Sequence, residues 1–171
     1  MIPMLRQTHC LALAVILMIP MGSLADEGLE PPEIHPACNQ EPEQKEIKKE
    51  RIWHNWPDGS VKYKSVYFTD GTWVSYAFYQ SGQLKRETYS GRFPVEGRPK
   101  TTINKKHGTE KRWHENGQLS SCGVYEKGKP VGTRMWFTED GTPMASWTYE
   151  NGKEIKHLTY SKVFGWQPFN K

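Results

Sequence analysis

Long apolar runs, cysteine and the signatures of catalysis are all scarce in this 171-residue chain. Its mean hydropathy of −0.78 argues against a thick apolar core and for strands wet on both sides. A single apolar run occurs, L-A-L-A-V-I-L-M-I-P-M at 11–21. It is shorter than the roughly 20 residues that a membrane-spanning helix needs. Arg6 precedes it and the small residues S-L-A follow at 23–25, the pattern of a secretory signal peptide over 1–25, cleaved after Ala25. The protein is therefore expected to be exported, periplasmic or secreted. Cys10 lies ahead of the run, the wrong side for a lipoprotein, and leaves with the leader.

Two cysteines then remain, Cys38 and Cys122. An even pair in an oxidising compartment is expected as a disulfide rather than as free thiols. The chain has no C-x-x-C, no H-E-x-x-H, no G-x-S-x-G and no phosphate-binding loop. His54, His107, His114 and His157 are scattered, without metal-ligand spacing. His114-Glu115 falls at a turn, where a solvent-exposed pair is expected. Asp58, Asp70 and Asp140 occupy turn positions that aspartate favours for backbone reasons. No catalytic residue, metal ligand or cofactor-binding residue is expected, and an enzyme is set aside.

Charge is plentiful and partitioned. Residues 26–50 hold eight acids against three lysines, whereas 51–171 hold nineteen Lys and Arg against eleven acids. The acidic stretch is proline-rich and nearly free of aromatics. It is expected as a linker that buries little surface, with a helical tendency near 41–51.

The basic part carries a repeat. Gly108, Gly117, Tyr125, Glu126, Gly128 and Lys129 recur, shifted by 24, as Gly132, Gly141, Tyr149, Glu150, Gly152 and Lys153. A fixed period means one supersecondary unit stacked on copies of itself. Each unit holds two turn signals, E-N-G and E-K-G in the first, E-D-G and E-N-G in the second. Between turns lie 8–10 residues rich in Thr, Trp, Tyr, Val and Phe, which suit a pleated, half-buried surface. Glycines that allow the positive φ of tight hairpin turns are expected at Gly59, Gly71, Gly82, Gly117, Gly128, Gly141 and Gly152. Val61, Leu84, Leu119 and Pro143 each stand two residues after a turn glycine. The fold class predicted is all-β, an antiparallel meander of repeated β-hairpins in a single twisted sheet of about ten strands. The stretch 91–107, with two prolines and clustered base, breaks the rhythm and is expected as a long loop between two halves of the sheet. The aromatic segment 161–171 is expected to cap one end of the sheet.

The segment H-G-T-E-K-R-W-H-E-N-G-Q-L-S-S-C-G-V-Y-E-K-G-K-P-V-G-T resembles the bacterial variant of the MORN repeat. Proteins built of that variant are commonly grouped as YwqK-family antitoxins. Two clean units cover 107–130 and 131–154, and degraded ones cover 51–90, within a repeat domain over 51–160. The first copies lack the G-K-x-x-G junction of the pattern, and Pro143 can sit only at an edge or a strand start. The resemblance implies a protein-binding module of the antitoxin or immunity kind, whose partner is a toxin or an envelope enzyme. A second class is a module for anionic lipid surfaces, since MORN repeats elsewhere are associated with phospholipid. A third is a structural envelope protein assembling through its sheet edges. Export argues against a nucleic-acid partner.

On alternating strands Thr133, Met135 and Phe137 share one face, and Arg134 and Trp136 share the other. Exposed Arg and Trp are favoured anchors of protein interfaces. The candidate binding surface is therefore Arg134 and Trp136, together with Arg92, Arg98 and Lys100 from the expected loop.

Overall fold

The structure, a computed structural model, describes residues 29–41 and 43–169. The expected signal peptide and its cleavage site lie outside these residues. Ten strands form one open sheet in chain order: β1 (Ile47–Asn55), β2 (Val61–Phe68), β3 (Trp73–Phe78), β4 (Leu84–Val95), β5 (Arg98–Trp113), β6 (Leu119–Glu126), β7 (Lys129–Phe137), β8 (Pro143–Glu150), β9 (Lys153–Ser161) and β10 (Gly165–Pro168). Every strand pairs antiparallel with the next, so the predicted meander is the fold. Among the described residues the only helical element is the short 3-10 turn Pro36–Cys38.

Two kinds of turn build the meander, and the sequence distinguishes them. At E-N-G the Gly117 N–H donates to the His114 carbonyl at 3.0 Å, and the His114 N–H donates to the Gln118 carbonyl at 2.9 Å. Asn116 Oδ1 accepts the Gln118 N–H at 3.0 Å, closing the turn from its side chain. Asp58, Asp70 and Asp140 do the same for the N–H groups of Ser60, Thr72 and Thr142. The Gly128 and Gly152 turns are shorter. There Glu126 pairs with Lys129 and Glu150 with Lys153, and both central residues take positive φ: Lys127 (48°) with Gly128 (89°), Asn151 (51°) with Gly152 (79°). A two-residue hairpin of this hand matches the right-handed twist of its strands. Gly59, Gly71, Gly82, Gly117 and Gly141 also stand at φ between 79° and 87°. Val61, Leu84, Leu119 and Pro143 open β2, β4, β6 and β8, which gives the proline a strand start.

The sheet has one covered face. It carries an apolar cluster of Val66, Phe68 and Val74, flanked by Tyr76 and Tyr89, and a second of Met135, Leu158 and Trp166, flanked by Phe137 and Tyr160. The acidic segment, expected as a linker, is instead a strap across this face. Leu29 bridges to Trp166 on β10, and Ile34 packs on the second cluster. The disulfide Cys38–Cys122 fixes the strap to β6. The Lys111 ammonium donates to the Gln40 carbonyl at 3.3 Å. Lys45 then pairs with Asp70 at 2.6 Å, and its ammonium lies 5.8 Å from the centre of the Phe68 ring. The Lys45 bond, with the hydroxyl and N–H of Thr72, draws the Asp70 carboxyl down to about 2. The strap orders because a single-layer sheet leaves apolar surface that few strap residues need supply to cover. The helical tendency near 41–51 is not realised, since β1 begins at Ile47.

A second correction concerns 91–107. This stretch is not a loop but the far half of the β4–β5 hairpin, with Arg92 paired to Asn104, Phe93 to Ile103 and Pro94 to Thr102. It runs past the ends of its neighbours, since β3 pairs with β4 only as far as Ser90 and β6 with β5 only from Gly108. Each strand of this extension has one free edge, and edge strands tolerate proline, so the prolines that suggested a loop are accommodated in strands. The C-terminal segment likewise supplies a strand: β10 pairs with β9 and buries Trp166 in the second cluster.

The strap and its bridge are open to a direct test. The bridge spans a sequence separation of 84 residues. A loop of that length corresponds to on the order of 4–5 kcal/mol in the chain-entropy treatment. Replacing Cys38 and Cys122 together by serine should lower the melting temperature by roughly 10–15 °C. A double variant that melted with the wild type would show that the strap adds nothing through its covalent tie.

Candidate functional site

Among the described residues the opposite face carries no strap, and its centre is a charge cluster. Glu110 on β5 is only 2% exposed. Its carboxylate accepts from Lys106 Nζ at 2.5 Å, from Arg112 Nη2 at 3.1 Å and from Arg134 Nη2 at 3.2 Å. Burial pushes the Glu110 carboxyl up, but the Lys106 hydrogen bond and the charges of Lys106, Arg112 and Arg134 outweigh it and hold the group below its ordinary value. Arg134 reaches Glu110 from β7 by lying across β6. It does so over Gly123, where a β-carbon would stand 2.9 Å from Arg134 Cγ. The close approach is therefore what this glycine supplies. Arg134 Nη1 also donates to the Tyr125 hydroxyl at 2.8 Å, and the guanidinium stacks 4.2 Å from the Trp136 ring centre.

From Trp136 an aromatic ladder crosses the C-terminal strands. Trp136 and Trp147, Trp147 and His157, and His157 and Phe169 each stand 4.2 Å apart between ring centres. The last two pairs are stacked, at 25° and 23°. Rings stacked on one another present their edges outward, so this ladder is a rigid rib.

The N-terminal half of the same face forms a groove of about 640 Å³ between β1–β4 and the overhanging β4–β5 hairpin. Trp53, Tyr63, Tyr67 and Trp73 line it with Lys49, Arg51, Lys64, Arg86 and Arg92, and no Asp or Glu does. The Trp53 indole N–H donates to Ser65 Oγ at 3.1 Å, and Ser65 shares a 3.0 Å hydrogen bond with Ser75. The Arg51 guanidinium stacks 3.8 Å from the Trp53 ring centre.

The candidate surface residues fall in three places. Arg134 and Trp136 lie on the open face, engaged with Glu110, Tyr125 and each other. Arg92 lines the groove. Arg98 and Lys100 lie near the exposed hairpin tip, where Arg98 pairs with Val95. Cys38 and Cys122 belong to the covered face, and the turn glycines to the two ends of the sheet. Sequence reasoning did not single out Glu110, Arg51, Trp53 or Arg86. Glu110 had a signal, since it is the one acid within K-K-H-G-T-E-K-R. His114, expected solvent-exposed, is half-buried and its Nε2 meets the Phe137 carbonyl at 2.9 Å, which ties one turn to the next strand.

The charge cluster predicts a pH dependence of definite sign. Glu110 has a folded-state pKa below its unfolded value. Its contribution is therefore full above the unfolded value of about 4.3 and is lost as pH falls through the folded one. Glu110→Gln should lower stability by about 2 kcal/mol at neutral pH. In thermal melts the gap between wild type and variant should then close on acidification below about pH 4. A gap that stayed constant down to pH 2 would mean that the ion pairs contribute nothing and only packing was lost.

Residues 106–127 match the MORN repeat variant. The match takes in the second half of β5, the Gly117 turn and the whole of β6, one complete hairpin of the meander. No curated protein matches the chain. One hairpin of the sheet is thus similar to a MORN repeat variant, and the rest of the meander continues its antiparallel pairing.

Proposed function

We propose that the protein is an exported, non-enzymatic binding module whose open sheet face holds a protein partner. The observation that carries this reading is the asymmetry of the sheet. One face is closed by a strap tied through Cys38–Cys122, while the other displays arginines, tryptophans and tyrosines on a braced surface. Such side chains supply most hot spots of protein interfaces. A braced surface also binds with little ordering cost, which suits an inhibitor. The finer form of the proposal is an antitoxin or immunity-type inhibitor of a toxin or envelope-active enzyme.

A reading as an anionic-membrane module has one observation in its favour, the excess of nineteen basic over eleven acidic residues in 51–171. The experiment separates the two. The chain as exported by its own cells is immobilised without reductant and offered envelope extract in parallel with anionic vesicles. A single protein retained in stoichiometric amount, whose lytic or toxic activity falls on binding, is the expected result. Retention of vesicles alone, released by salt, would replace the protein reading with the membrane one.

A further inference from the structure

In the groove under the β4–β5 hairpin three arginines stand without counter-charge, whereas Lys64 pairs with Glu50 at 3.8 Å. Arg134 and Arg112 share Glu110 at the centre of the sheet. Among the described residues no carboxylate lies within 4.0 Å of Arg51, Arg86 or Arg92. Arg86 on β4 stands directly opposite Arg112 on β5 in the strand register. Like charges in that position destabilise a sheet, and an anion held between them would relieve the repulsion. We infer that this groove binds an acidic segment of a partner polypeptide, with Arg51, Arg86 and Arg92 reading its carboxylates. The inference rests on the protein-binding reading above and names the chemistry of the partner.

Three features fit a carboxylate-bearing chain. The first is prepositioning. Ser65 is only 4% exposed, and through its bond to the Trp53 indole it fixes the ring on which Arg51 stacks. A guanidinium stacked by its face keeps its edge N–H donors free, and that edge is the fork that matches a carboxylate. Because the stack already limits its rotamers, little side-chain entropy is lost on binding. The second is the wall. Arg92 lines the groove, and so does Asn104, its cross-strand partner on the overhanging hairpin. Asn104 brings a carboxamide able both to donate to and to accept from a peptide backbone. The third is the state of the ring faces. Arg51 covers Trp53, while Tyr67 has Lys49 5.0 Å from its centre and stacks on Trp73. A sugar or a base binds by stacking on open ring faces, and at Trp53 and Tyr67 a cation of the chain itself already lies over the ring. A concave site beneath an overhanging hairpin also fits a single chain better than a planar bilayer.

The test uses the complete exported chain and fluorescence anisotropy with a labelled synthetic peptide in which Glu alternates with Gly and Ser. The same peptide with Gln in place of Glu is its control, and sodium polygalacturonate and phosphatidylglycerol vesicles are run as separate ligands. The Glu peptide should bind at low salt and be released as ionic strength rises, with the Gln peptide at least about tenfold weaker. Arg51→Ala and Arg86→Ala should each weaken the Glu peptide about tenfold, while Lys156→Ala, on exposed β9, leaves it unchanged. Unaltered melting temperatures establish that the variants fold. Equal binding of the Glu and Gln peptides, or wild-type binding by Arg51→Ala and Arg86→Ala, would overturn the inference. Binding of polygalacturonate or of vesicles without the peptide would also overturn it, and would assign the groove to a glycan or to lipid headgroups. Retention of the envelope partner by an Arg51→Ala/Arg86→Ala variant would reject the groove alone. Failure of the wild-type chain to retain any protein would reject the protein-binding reading itself.

Discussion

A sheet one layer thick must cover one of its faces with something other than a second layer, and the Cys38–Cys122 bridge is how this chain does so. The buried apolar residues form two small clusters, one on β2–β3 and one spanning β7, β9 and β10. Neither matches the core of an ordinary globular domain of this length, where burial scales up with size. The strap crosses from Trp166 at one end to Asp70 at the other, with the bridge to β6 between them. Without that tie, ordering a proline-rich acidic segment would cost backbone entropy that Ile34 and Leu29 are too few to offset. The covered face thus exists as a core only when the strap is in place. The open face can then carry charge and half-exposed rings because the apolar burden has been moved to the other side.

The 24-residue period has a physical content beyond the hairpin. Lys105 lies over Gly128, where a β-carbon would meet it at 3.4 Å, and Lys129 lies over Gly152, where the distance would be 3.1 Å. These are equivalent positions in successive units, so each lysine stem packs on the turn glycine of the next hairpin. At the opposite end His114 and Asn116 bond the carbonyls of Phe137 and Glu139, each one hairpin further on. Glu110 and Arg134 are also 24 residues apart, and they form the ion pair that crosses β6. Equivalent positions carrying opposite charges let copies of one unit attract each other. A repeat array is stabilised mainly by contacts between neighbouring units, and these are its contacts.

The meander was legible in the sequence because turn glycines state backbone geometry directly. Asp58, Asp70 and Asp140 were placed at turns for backbone reasons, and their side chains close those turns. The strap was illegible because composition reports what a segment can bury by itself. It does not report what a disulfide and a waiting sheet face make it bury. The β4–β5 extension was misread for a related reason, since Pro94 excludes a central strand but not one with a free outer edge. The groove residues were missed because Arg86 is far in sequence from Arg51 and Trp53 and joins them only through the register of β1–β4. Gly123 shows the same gap, because nothing local marks it as the gap through which Arg134 reaches β5.

The arginines separate structure from recognition by what faces them. Arg134 is half-buried, and its charge is matched by Glu110, its Nη1 donor by Tyr125 and its plane by Trp136, while its Nε stays unpartnered. A side chain held on both Nη groups and on its plane is a brace, although the sequence marks it, with Trp136, as a candidate interface anchor. Arg51 is stacked as firmly, on a tryptophan held by a buried serine, yet its donors meet no acid. Holding a cation rigid while leaving it unpaired stabilises nothing in the folded chain and keeps the repulsion between neighbours such as Arg86 and Arg112. Folding gains from pairing a charge, whereas recognition needs a charge kept ready for another molecule. The two ends of the open face divide along that line, with the Glu110 cluster and the aromatic ladder serving the sheet and the groove facing outward.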